Sequence, residues 1–332
     1  MKKTIIVSLT AAVAFAAEGY HVLGKIQIGG EGGWDYLLAD GANHRLYATH
    51  GTSVVVVDTR ENKVLGAVSG LQGVHGVAVV PKLNKGFISD GRANQAVVFD
   101  LKTLAKTGEV ATGANPDSIC YEPRTNRILT FNGRSNDSTV IDAATNAVVA
   151  TIPVGPKPEF CAADGAGKVY VNIETSGEIV EIDAAKPAVL RRAPLAPCEE
   201  PSGLAIDPKG RKLFSVCGNK IMAITDIPTL KVIATPAIGQ GPDAAGYDSG
   251  LAFSSNGEGT LTVVRNVNGK WEPAETVRTE RGARTMAVDP ETHKLYLLAA
   301  DFEPAPEAKE GQKGGRRPAI IPGSFHVLIV GK

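Results

Sequence analysis

One pattern recurs seven times in the 332 residues: a short apolar strand centred on an aromatic residue, or on Leu or Ala in its place, then a turn, a β-branched run ending near Asp, and a Gly-rich return. The strand centres are Tyr47, Phe87, Leu129, Tyr170, Phe214, Ala252 and Tyr296, separated by 40, 42, 41, 44, 38 and 44 residues. A period near forty with about four strands per unit describes a propeller blade, a small sheet that covers its two faces only by stacking on neighbours. The chain therefore reads as all-β, a seven-bladed β-propeller formed by residues 17–332 as a single domain. Its two ends fit that reading. Residues 325–330 look like a third strand with no fourth to follow, and residues 21–29 like a fourth strand with no blade before it. Pairing them closes the ring and removes two open sheet edges.

Asn, Gly and Asp punctuate the strands, because these residues tolerate the backbone angles of tight turns. Asp58, Asp100, Asp142, Asp183 and Asp226 end the third strands at near-constant spacing. A carboxylate that bonds backbone two residues on explains all five, so they are read as turn caps and not as a site.

Residues 1–16 have two lysines, an apolar stretch and Ala14 and Ala16 flanking Phe15, the layout of a cleaved secretory signal. No Cys follows the cleavage point, so no membrane anchor is expected, and the mature protein reads as a periplasmic or secreted monomer. Lys plus Arg and Asp plus Glu both number 35; without Lys2 and Lys3 the balance is 33 against 35. That is not the basic excess a nucleic-acid partner requires.

Leu46-Tyr47-Ala48-Thr49-His50 and its six relatives resemble the YVTN-type repeat of the YncE-like family of exported seven-bladed propellers, over essentially the whole mature chain. That resemblance implies an architecture and an export route more than a reaction.

In a propeller, the connections between blades and those between second and third strands open on one face and ring one end of the channel. At equivalent offsets these loops carry Trp34 and Asp35, His75, Asp117, Glu159, Ser202, Asp243 and Arg284, together with His50, Asp90, Arg92, Asn132, Arg134, Glu174 and Cys217. Such convergence of polar groups makes this mouth the expected ligand site. His50, His75, Asp35 and Asp90 come from consecutive loops and are the expected metal ligands, for Cu or Zn. The plainer alternative is that the imidazoles only bond nearby carbonyls. Arg92, Arg134 and Arg284 offer planar forks for a carboxylate, phosphate or acidic peptide, or else neutralise Asp117, Glu159, Glu174 and Asp243.

G-x-S-x-G, G-x-x-x-x-G-K-[ST] and H-E-x-x-H do not occur, so serine-hydrolase, nucleotide and zincin chemistries lack their motifs. The function read from the sequence is binding of a small-molecule or peptide ligand at the mouth, with or without a metal. A metal-dependent hydrolase or lactonase using the same residues is the alternative, and a protein-protein interaction scaffold the third. Cys198 and Cys217 lie on mouth loops of one blade and are expected to form a disulfide in an oxidising compartment, with a thiolate site as the alternative. Cys120 and Cys161 each precede their strand centre by nine residues, so they are expected to point the same way as separate buried thiols. Residues 300–324 interrupt the last blade with Pro, Gly and charged residues, as a lid or a surface loop.

Overall fold

The computed structural model describes residues 19–304 and 318–332. The expected signal peptide lies outside the described residues, as do residues 305–317 of the late interruption. Among the described residues, twenty-eight strands, numbered in chain order, form seven four-stranded antiparallel sheets. The first blade is β2 (Trp34–Asp40), β3 (Arg45–His50), β4 (Ser53–Asp58) and β5 (Lys63–Val68), hydrogen-bonded in that order. Innermost strands of the next five are β6 (Val74–Val80), β10 (Pro116–Glu122), β14 (Pro158–Ala163), β18 (Pro201–Asp207) and β22 (Pro242–Asp248).

The seventh blade has the order β1-β28-β27-β26, from β1 (His21–Gln27), β28 (His326–Gly331), β27 (Lys294–Ala299) and β26 (Met286–Asp289). The amino-terminal strand is thus the outer strand of the last blade. Its register runs from His21 opposite Gly331 to Gln27 opposite His326, and Ile28 and Gly29 both donate to the Phe325 carbonyl.

The molecule has no single core. Apolar side chains from two adjacent blades meet in each of seven layers. Tyr47, Val54 and Val56 of the first blade pack on Val77, Ile88 and Phe99 of the second. Tyr296, Leu298 and Val327 of the last pack on Leu46 and Ala48 of the first. The face away from the mouth carries the turn aspartates as expected. Asp58 accepts from the backbone N–H of Arg60 and Glu61, Asp100 from Lys102 and Thr103, Asp142 from Ala144 and Thr145, Asp183 from Ala185 and Lys186, and Asp226 from Thr229.

All four cysteines are paired. Cys198 is joined to Cys217, tying an interblade loop to the strand beside it. Cys120 is joined to Cys161, with Cα atoms 6.2 Å apart, which corrects the expectation of two separate thiols. The error lies in the register. Cys120 stands opposite Leu129, but Ala162, not Cys161, stands opposite Tyr170. Cys161 is one residue out of the assumed equivalence, and in a strand one residue reverses the side chain, which turns it back toward Cys120.

Two outcomes are expected. Removing residues 20–29 exposes the edge of β28 and takes away the buried side chains of Tyr20 and Ile26, each worth about 2–3 kcal/mol; calorimetry of the truncated protein should show a melting temperature lower by roughly 10 °C or more. Replacing Cys120 and Cys161 by Ser releases a 41-residue separation and should cost roughly 4 kcal/mol in denaturant unfolding, whereas unchanged stability would show that the bond is not formed in solution.

Candidate functional site

Each innermost strand starts at the mouth and runs to the opposite face. The second residue of each stands at the channel entrance: Asp35, His75, Asp117, Glu159, Ser202 and Asp243, with Arg284 just ahead of β26. Four of these strands open with proline, which fixes φ where the chain enters from the interblade loop. Their backbone carbonyls are held by the preceding blade. Ser89 donates to Asp117, Ser118 to Glu159, Asn172 Nδ2 to Ser202 at 2.9 Å, and Ser255 to Arg284. At Asp117, Glu159, Ser202 and Arg284 a polar side chain one blade back therefore sets where the ring residue sits.

Within the ring, His75 Nδ1 donates to Asp35 Oδ2 at 2.6 Å and lies 3.6 Å from Asp117 Oδ1. One ligand atom from each of Asp35, His75 and Asp117 falls within 4.8 Å of the other two. Lys157 Nζ is bonded to Glu174 and stands 3.6 Å from Glu159, and Arg284 Nε is 3.2 Å from Asp243. Burial, reinforced by the neighbouring Asp35 charge, raises Asp117 to about 6. Burial raises Asp243 to about 6 although Arg284 opposes it. Glu159 is pushed well above the carboxylate range by burial, the Asp117 charge and the shared hydrogen bond with Glu174. Burial alone would lower His75, but the hydrogen bond to Asp35 and the surrounding carboxylates outweigh it and raise the imidazole. The site holds more negative charge than its own cations neutralise.

Several residues expected at the mouth have other work. His50, 6% exposed, stacks on Phe325 with ring centroids 4.0 Å apart. Asp90 accepts from the backbone N–H of Gln72 and Gly73, and Asn132 donates to Asp137 and Thr139. Their common position, the last residue of a second strand, is buried in every blade. In two of the blades the side chain there clips the preceding loop, Asp90 by hydrogen bonds and Cys217 covalently. The expected metal set thus divides: Asp35 and His75 meet, Asp117 joins them, and His50 and Asp90 are not part of the cluster. Arg92 and Arg134 make no ion pair among the described residues, while Glu174 and Arg284 do. Trp34 lies beside the ring, against Phe325 and Phe302.

Sequence reading missed Lys157, which directly precedes the Pro158-Glu159 pair. It also missed the floor. At the third position of the innermost strands, Gly76, Ser118, Gly203, Ala244 and Thr285 are small and buried, whereas Tyr36 and Phe160 are large, and their rings meet at 4.8 Å from the first and fourth blades. Being the two bulky residues of that set was the available signal. Beyond them is a cavity of about 310 Å³ lined by Leu38, Val79, Tyr121 and the Cys120–Cys161 pair.

No known family model matches the chain, and no curated protein matches it. Among solved structures, a propeller-type chain of Kuenenia stuttgartiensis hydrazine synthase matches with a TM-score of 0.69 over 86% of this chain and 96% of that one, at 16% identity. Likeness at that identity shows the fold alone. With 1772 solved chains matching, the fold does not select a function, and the site must be argued from its residues.

The shifted groups fix how stability depends on pH. A carboxyl raised in the fold contributes most when protonated, so Asp117 and Asp243 contribute fully below the ordinary aspartate value of 3.8 and lose that contribution as pH rises through about 6. His75, also raised, contributes below 6.5 and loses its share as pH rises through its folded value. The turn aspartates, held low by backbone N–H groups, act oppositely and lose theirs as pH falls below 3.8. Metal-free protein should melt highest at about pH 4–6 and less high at pH 8. Asp117→Asn should raise the melting temperature at pH 8 and leave it nearly unchanged at pH 4; a wild-type curve that rises from pH 5 to 8 contradicts this account.

Proposed function

We propose that the chain is an exported propeller of the YncE-like kind its repeats resemble, and that its channel mouth binds a transition-metal cation through Asp35, His75 and Asp117. The small-molecule or peptide ligand expected at this mouth would be recognised beside that ion. The carrying observation is that three ligand-competent atoms from three successive blades already lie within 4.8 Å of one another. Two carboxylate oxygens and an imidazole nitrogen suit Zn(II) or Cu(II). Nδ1 is the nitrogen facing the carboxylates, since the other edge of the ring packs on Gly91, where an added Cβ would stand 2.7 Å from Nε2. A metal would therefore replace the proton that His75 now shares with Asp35, and would relieve the charge that raises Asp117.

Export is supported by the paired cysteines, which belong to an oxidising compartment. No helix among the described residues is long and apolar enough to cross a membrane. The scaffold reading draws on the pairs Lys157–Glu174 and Arg284–Asp243, in which ring residues neutralise each other. A hydrolytic role would require the same metal first.

Calorimetric titration of metal-free protein with Zn(II) and Cu(II) separates these readings. One equivalent should bind at pH 7.5, at least about tenfold more weakly to a His75→Ala, Asp117→Asn double variant, and undiminished to His50→Ala. Affinity should fall as pH is lowered, because His75, raised above its ordinary 6.5, and then Asp117, raised to about 6, take up protons. Equal binding by wild type and the double variant would reject the metal site and leave the internal ion network.

A further inference from the structure

A second cavity, of about 490 Å³, opens beside the mouth where blades six, seven and one meet. One wall is aromatic: Trp34 and Phe302 stand with centroids 6.4 Å apart at 52°. Gly282 lies against both rings at φ +85°, and a Cβ there would come within 3.0 Å of the Phe302 ring and 3.9 Å of Trp34. Gly33, Gly241 and Gly257 leave further backbone bare in the lining. Arg281 and Arg284 supply its charge. Arg284 spends Nε on Asp243, leaving the rest of its fork, and Arg281 makes no ion pair among the described residues.

The wall is fixed from behind. Trp34 packs on Phe325 at 5.5 Å and 33°, and Phe325 stacks on His50 at 4.0 Å and 13°. Phe302 is held by a bridge to Ile320, flanked by backbone bonds from Glu303 to Ala319 and from Ile321 to Asp301. Rings already held in place lose little freedom when a ligand settles on them.

We propose that this cavity is a binding site for a flat aromatic ligand bearing one carboxylate or sulfonate group. The ring face of such a ligand suits the Trp34–Phe302 wall, and its anion suits the planar fork of Arg281, with Arg284 adjoining. A plain inorganic anion would leave the aromatic wall unused. A neutral aromatic would leave Arg281 without a partner. The site differs from the metal cluster in its residues and in the sign of charge it receives.

Metal-free full-length protein is titrated with 2-naphthoate, and separately with uncharged 2-naphthamide, by calorimetry and by quenching of tryptophan fluorescence. Naphthoate should saturate and bind about tenfold more tightly than the amide. Arg281→Gln, at an exposed position where folding is not at stake, should reduce naphthoate to the level of the amide. Phe302→Ala should weaken both probes, and Asp117→Asn neither. Failure of naphthoate to saturate, equal affinity for acid and amide, or wild-type affinity in Arg281→Gln would overturn the proposal. The Asp117→Asn arm keeps its outcome apart from that of the metal site.

Discussion

A four-stranded sheet with two apolar faces can cover neither of them alone, and everything in this molecule follows from having seven such sheets cover one another in a circle. Each interblade layer is shared, as where Tyr47 of one blade lies against Phe99 of the next. A ring has no end layer, so the scheme works only if the last blade is complete. Strand β1 completes it, filling the outer position beside β28. Its other fastening runs through side chains: Lys25 on β1 and His326 on β28 both contact Glu280, which follows the sixth blade. The chain's two ends are thereby bound to each other and to a neighbouring blade.

Circular repetition also creates the site. Whatever occupies the second position of an innermost strand is brought to the axis seven times over, so residues some forty apart in sequence become neighbours. Asp35, His75, Asp117, Glu159 and Asp243 crowd the entrance this way, and burial there raises Asp117, Glu159 and Asp243. At Asp117 and Glu159 the fold bears that opposition because the backbone beneath is clamped by Ser89 and Ser118, as it is at Ser202 and Arg284 by Asn172 and Ser255. Position and charge are thus separately controlled. Ring residues can differ from blade to blade without loosening the frame, as the change from Glu159 to Ser202 to Asp243 illustrates.

The blades were legible because their period is written in residues whose role is local. Asp58 and its four counterparts cap turns through bonds spanning two or three residues, which sequence spacing captures well. Cys161 was misread because counting from Tyr170 assumes a constant turn, and one residue of register was enough to reverse a side chain. The site was partly legible. Spacing placed Asp35, His75 and Asp117 on the same face, but it also placed His50 and Asp90 there, since ending near the mouth does not decide where a side chain goes. That was settled by loops the sequence could not position: Phe325 arrives over His50, and the Gln72-Gly73 backbone arrives over Asp90.

The mouth is electrically lopsided, and one residue spans both sides. Toward the first four blades the carboxylates of Asp35, Asp117 and Glu159 surround His75 and Lys157. Toward the last two blades and the start of the first, the lining changes to Arg281, Arg284, Trp34 and Phe302. Arg284 contributes to both, through Asp243 on the ring side and through its place in the cavity lining. A cation on the ring would weaken the hold of the carboxylates on their own positive groups, and Asp243 is the carboxylate through which Arg284 is reached. The two halves of the mouth thus form one surface of opposite charges, the carboxylate side suited to a cation and the Arg281–Arg284 side to an anion.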